Sequence, residues 1–215
     1  MHDSDLDRLF RTGVIAIMRR TEATLAVETA EALLAGGVDI VEVTLNTHGA
    51  ESMIRALALH FGERLLIGAG TVMAADAVAR VVDCGGRFVV SPHFDRGIVE
   101  AARHRDLPSL PGAFTPTEIV AAWNAGASAV KVFPIGSVGP RYLRDVLAPL
   151  TEIPLVPTGG VNLQHTGDLI RAGARGLGLG SDLVAPAAVA GRDFDRITQR
   201  AAAFVTEICS ARGQT

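Results

Sequence analysis

The chain has 215 residues, of which 48% are hydrophobic and 20% charged, with a formal net charge of −3. That balance is ordinary for a folded soluble protein, and the slight negative charge gives no reason to expect nucleic acid as a partner. No apolar run reaches the roughly 18 residues a membrane span requires, and the acidic start MHDSDLDRLF lacks the features of a secretory signal. No membrane partner and a cytoplasmic location are therefore expected. Cys84 and Cys209 lie far apart without a CxxC pattern, and read as reduced thiols.

A short helix at about 4–11, within a capping segment 1–12, opens the chain. The strand candidates follow at 13–19 (GVIAIMR), 39–45 (DIVEVTL), 65–72 (LLIGAGTV), 88–92 (FVVSP), 108–114 (PSLPGAF), 129–134 (AVKVFP), 154–160 (PLVPTGG) and 176–182 (GLGLGSD). Amphipathic segments such as 22–35 (EATLAVETAEALLA) lie between them, and Gly and Pro punctuate the joints. Strands alternating with helices imply parallel pairing. Eight such units, spaced about 20 to 25 residues apart, predict one (β/α)8 TIM barrel over 1–215, with the extra N-terminal helix closing its bottom. An open doubly wound sheet is the alternative.

A barrel carries its active site at the C-terminal ends of its strands. Those ends hold Arg19, Glu42, Thr44, Thr71, Pro92, Phe114, Lys131, Phe133, Thr158, Gly159, Gly160, Gly180 and Ser181, while the strand interiors are apolar. Lys131 is the only lysine in the chain and sits in ASAVKVFP. Alternation along a strand turns Val130 and Val132 toward the helices and Lys131 inward with Ala129 and Phe133. The same parity in DIVEVTL turns Val41, Val43 and Leu45 outward and Glu42 inward.

A free lysine has a pKa of about 10.4, and burial lowers it by disfavouring the ammonium. The neutral amine so produced is the nucleophile that Schiff-base chemistry needs, a role arginine cannot fill. A buried structural Lys131–Glu42 ion pair, or a lysine reaching out to solvent, is the competing reading.

PTGGV closes the seventh strand candidate and GLGLGSDL forms the eighth. Glycines there let an anion approach backbone N–H groups, at the place where barrels commonly bind phosphate. Tight turns alone are the plainer reading of the same residues. GAGTVM (68–73) lacks the third glycine of a dinucleotide fingerprint. The six histidines show no metal-ligand spacing, so no metal is expected. His48 and His93 lie near strand ends, and Trp123 and Tyr142 fall in helical stretches where packing explains them.

VEVTLNT (41–47), GAGTV (68–72), VSPH (90–93), PGAFTPTE (111–118), KVFP (131–134), GPRYL (139–143) and PTGGV (157–161) together resemble the 2-keto-3-deoxy-6-phosphogluconate / 2-keto-3-deoxy-6-phosphogalactonate (KDPG/KHG) aldolase family. Some members of that family are described as 4-hydroxy-2-oxoglutarate aldolases. The resemblance spans almost the whole chain in order. It implies a class I aldolase on a (β/α)8 barrel, usually a homotrimer, without cofactor or metal, acting on a small-molecule phosphorylated keto-sugar acid.

By motif, the resemblance makes Lys131 the Schiff-base lysine and Glu42 the general acid/base. It makes Thr71 and Thr158 substrate-contacting threonines, and packs Pro92 and Phe133 around the pyruvyl group. Gly159, Gly160, Gly180 and Ser181 match the phosphate pocket. Arg19 matches a basic residue that contacts substrate in the galactonate-type enzymes. Gluconate-type members often carry an arginine after VTL, where this chain has Asn46, as galactonate-type members do. Binding of the pyruvate carboxylate would then fall to Arg19 with hydroxyl and backbone donors. The gluco or galacto preference stays open. The other readings are a main activity on 4-hydroxy-2-oxoglutarate, a phosphosugar isomerase or epimerase using Glu42 as base, and a noncatalytic phosphate-binding barrel.

Overall fold

The computed structural model describes residues 3–213. Nine strand segments are each β1 to β9 in turn: Val14–Met18, Ile40–Thr44, Leu66–Gly70, Val89–Val90, Ser109–Leu110, Gly112–Ala113, Val130–Val132, Leu155–Pro157 and Leu177–Leu179. All pairings are parallel, in the order β5-β4-β3-β2-β1-β9 and β6-β7-β8. β5 and β6 are two halves of one strand, split at Pro111. Proline has no N–H to donate to a ladder, although the Pro111 carbonyl still accepts from Lys131 N at 2.9 Å. The remaining seam, between β8 and β9, is bridged by Thr158 and Gly178. Eight strands therefore ring the molecule as expected, with two thin seams in the ring.

The strand faces sort by alternation. Ile15, Ile40, Leu66, Phe88, Val90, Leu110, Ala129 and Val156 form a buried cluster inside the ring. Val41, Val43, Ile67, Ala69, Val130, Val132, Leu177 and Leu179 belong to the larger cluster beneath the helices. Helices α1 to α10 run Asp3–Thr12, Ala26–Ala35, Ala50–Phe61, Asp76–Asp83, Arg96–Arg103, Pro116–Asn124, Gly139–Leu147, Leu163–Arg171, Pro186–Ala190 and Phe194–Ala211. α10 packs against both α8 and α2, which completes the helical layer beside the first strand. Its approach to α2 depends on Gly36, where a Cβ would lie 2.4 Å from the Ala201 Cβ.

α1 closes the bottom of the ring, and its Leu6, Leu9 and Phe10 join the interior cluster. Residues 1 and 2 of the expected capping segment lie outside the described residues. Ion pairs pin this helix: Arg8 to Asp39 at 2.7 Å, and Arg87 to Asp5, with Arg87 also reaching Glu63 at 2.5 Å. The segment expected to be helical over 22–35 begins as a 3-10 turn at Ala23–Leu25 before α2. Local side chains set several other helix starts. Thr115 and Glu118 make a reciprocal capping box with Pro116 at the first turn of α6, and Asn162 accepts from His165 N at α8. Among the described residues, no helix is long and apolar enough to cross a membrane.

Candidate active site

Lys131 lies at the centre of β7 with 3% of its surface exposed, and Glu42 lies at the centre of β2 with 2% exposed. Both side chains point into the ring, because each is flanked by two valines of the outer cluster. Burial raises the Glu42 pKa above the usual carboxylate range, while the positive charges of Lys131 and Arg19 partly oppose that rise. Burial also pulls the Lys131 ammonium below its ordinary pKa, opposed by Glu42 and assisted by Arg19. Glu42 Oε1 is buried without a hydrogen-bond partner, which is costly unless another group engages it. The Lys131 Nζ lies 5.1 Å from the centre of the Phe133 ring, which stands half-exposed at the mouth.

Gly70 explains how a carboxylate fits inside the ring. A Cβ at that position would fall 1.7 Å from Glu42 Oε1, so only glycine leaves the space. The GAGTV motif thus supplies volume for its neighbour across the β2–β3 pair, whose register sets Thr44 against Gly70. Beyond it, Thr71 adopts a left-handed backbone with φ of 56°.

A cavity of about 900 Å3 opens at the strand C-termini. Its wall includes Lys131, Phe133, Arg19, Thr158, Gly159, Gly160, Gly180 and Ser181 of the residues singled out in the sequence. Gly159 and Gly160 both have positive φ, at 81° and 79°. That successive left-handed pair turns the chain sharply after β8, and a Cβ on Gly159 would strike the Phe133 ring at 2.7 Å. Glu42, Asn46, Thr71 and Pro92 are not among the residues lining the cavity. Asn46 is exposed to solvent.

The sequence reading did not single out Arg20, Thr21, Asn162 or Asp182, which also line the cavity. The Arg19–Arg20 doublet at the end of GVIAIMR was the available signal for the first of these. Trp123 and Tyr142 lie in α6 and α7, partly buried against the outer cluster. Tyr142 stacks on Phe114 with ring centres 5.7 Å apart, and its hydroxyl donates to the Phe114 carbonyl.

A parallel eight-stranded ring with a buried amine and a buried carboxylate at its mouth has the architecture of a barrel enzyme built for imine chemistry. A family model described as KDPG and KHG aldolase matches residues 6–200. The 2-dehydro-3-deoxy-6-phosphogalactonate aldolase of Escherichia coli (strain K12) is 36% identical over 193 residues, which is 89% of this chain and 92% of that one. The native KDPGal structure superposes with a TM-score of 0.88 at 34% identity, covering 93% of this chain and 96% of the other. The KDPG aldolase of Legionella pneumophila, with pyruvate captured at low pH as a covalent carbinolamine intermediate, superposes with a TM-score of 0.86 at 29% identity, over 93% and 97% of the two chains. The chain belongs to the KDPG and KHG aldolase family. It is accordingly a class I, pyruvate-dependent aldolase, a carbon–carbon lyase.

Proposed function

We propose that the chain cleaves a 2-keto-3-deoxy-6-phospho-aldonate to pyruvate and D-glyceraldehyde 3-phosphate, with Lys131 as nucleophile and Glu42 as acid/base. One observation carries this reading: the chain's single lysine is buried beside a partnerless carboxylate oxygen, and opens onto a cavity rimmed by two glycine-rich loops.

The Lys131 lone pair attacks C2 of the keto acid to give a carbinolamine, and loss of water leaves a protonated imine. Glu42, directly or through one water, takes the C4 hydroxyl proton. The C3–C4 bonding electrons move into the imine, which becomes an enamine as the aldehyde departs. Glu42 returns its proton to C3, and water hydrolyses the imine to pyruvate and free amine. Each proton step suits a carboxyl whose pKa burial has raised toward neutrality, and the attack suits an amine whose pKa burial has lowered.

In this scheme Phe133 and Pro92 flank the pyruvyl group, and Thr71, Thr158, Arg19 and Asn46 serve the keto-acid end. Gly159, Gly160, Gly180 and Ser181 bind the phosphate through backbone N–H groups and the serine hydroxyl. The cavity walls support the assignments of Phe133, Thr158, Arg19 and the phosphate residues. Those of Pro92, Thr71 and Asn46 rest on their motifs. The chain acts as one domain over 1–215, in the cytoplasm, and assembles as a homotrimer.

Turnover tests the reading. Pyruvate release is measured with the 6-phosphogalactonate-type keto acid, its 6-phosphogluconate epimer and 4-hydroxy-2-oxoglutarate. The expected result is a higher kcat/KM for a phosphorylated keto acid than for 4-hydroxy-2-oxoglutarate. A preference for the latter would reassign the main substrate.

A further inference from the structure

Arg20 follows β1 and lines the same cavity as Lys131. Its backbone is left-handed, with φ of 55°, a conformation that a non-glycine residue adopts at some cost. The conformation is held by a specific contact: Arg20 N–H donates to Thr47 Oγ1 at 2.9 Å, and Thr47 Oγ1 lies 3.0 Å from Thr44 Oγ1. Thr47 is buried, so the loop after β1 is tied to the end of β2. The guanidinium itself is exposed and makes no hydrogen bond or ion pair among the described residues.

The charges around it define what it can bind. β1 pairs with β9 from Val14–Leu177 to Ala16–Leu179. The chain turns at Gly180 just past β9, where Leu183 N and Val184 N donate to the Gly180 carbonyl, and Arg20, Ser181 and Asp182 line the same cavity wall. Asp182 does not neutralise Arg20, because Arg200 holds it: Nη2 lies 2.5 Å from its carboxylate, and Nε donates to its carbonyl at 3.0 Å. Glu22 is the other carboxylate on the cavity wall. Against it stand Arg19 and Arg20, so the rim keeps a positive excess. Arg19 acts on the inner end, where it lowers the pKa of both Glu42 and Lys131.

We propose that Arg20 is a specificity residue that binds the distal phosphate of the substrate from the β1 side, next to the glycine loops of β8 and β9. This deepens the proposed function and rests on that reading. A guanidinium gains most from a dianionic phosphate, through charge-assisted bonds that a neutral hydroxyl cannot return. Arg20 thus selects phosphorylated keto acids over their unphosphorylated counterparts.

Arg20→Gly tests this without loading the fold, since glycine is unstrained at positive φ. KM is measured for the 2-keto-3-deoxy-6-phospho-aldonate and for the same keto acid without phosphate. The expected result is a KM at least tenfold higher for the phosphorylated substrate and a selectivity ratio lower by the same factor, with Tm unchanged or raised. Arg20→Lys is expected to recover part of the loss. A selectivity ratio within twofold of wild type in Arg20→Gly overturns the proposal. Inorganic phosphate provides a separate reading. It is expected to raise the Tm of wild type and to raise that of Arg20→Gly much less, and equal shifts contradict the role of Arg20. If wild type turns over neither keto acid, the proposed function fails and the phosphate arm alone decides on Arg20.

Discussion

Burying an amine and a carboxylate in one mouth lowers folded-state stability at neutral pH, by way of both groups. The folded Lys131 pKa lies below 10.5, so between the two values the unfolded chain binds the extra proton and stability rises with pH across that window. The folded Glu42 pKa lies above 4.5. Between those values the folded chain keeps a proton that the unfolded chain has lost, and stability falls as pH rises. At pH 7, which is below 10.5 and above 4.5, both penalties are present whether the folded group stays charged or neutralises. Replacing the pair together, as Glu42→Gln with Lys131→Met, should therefore raise stability at pH 7 by about 1–4 kcal/mol, read by urea denaturation. A less stable double variant would mean that the pair holds the fold together. Arg19→Ala should move the pH midpoint of imine formation upward, because Arg19 lowers the Lys131 pKa. An unmoved or lower midpoint, read from the pH profile of borohydride trapping, removes Arg19 from the electrostatics of the site. At this scale the sequence was informative wherever period-two alternation applied. ASAVKVFP and DIVEVTL each place a charged residue between valines, which assigns the inward face. Arg20 was not legible, since its conformation depends on a hydrogen bond to Thr47, 27 residues away.

Glycines do at the scale of the strand what side chains do elsewhere: they set what fits beside them. Gly70 ends β3 directly against Glu42, and Gly178 in β9 sits where a Cβ would lie 2.3 Å from Thr158 Oγ1. Gly70→Ala should expel the Glu42 carboxylate, destabilise the barrel by about 1–3 kcal/mol as overpacking does, and lower kcat by at least about a hundredfold. Near-normal kcat in a folded Gly70→Ala protein would show that Glu42 needs no such cradle. GAGTV fails as a dinucleotide fingerprint and entered the sequence reading as a family motif carrying Thr71, while the steric part played by its Gly70 emerges only in three dimensions. Nothing in a linear motif says which side chain lies across the sheet from a glycine. The split of the fifth strand was more accessible, since Pro111 removes a ladder donor wherever it falls. The expected strands ran longer than the observed ones because their flanking residues, such as Arg19 and Thr158, belong to the loops that build the cavity.

The whole molecule joins its two ends through the barrel bottom. Arg212, just after α10, donates to the carbonyls of Phe10, Arg11 and Arg175, and so ties the last helix to the first. The bottom is thereby closed by charge and by α1, while the top stays open and carries the chemistry, as the positions of Arg19, Lys131 and Ser181 indicate. The repeat of strand and helix made this polarity legible, whereas assembly left no mark in the residue pattern. The proposed homotrimer predicts a particle of three times the chain mass by light scattering, and a monomer at working concentration would contradict it. The central claim rests on Lys131, and being the only lysine makes it directly testable. Incubation with pyruvate and borohydride, followed by peptide mass analysis, should place a reduced pyruvyl group on Lys131 and nowhere else on a side-chain amine. An unmodified Lys131 in protein that turns over substrate would contradict the account.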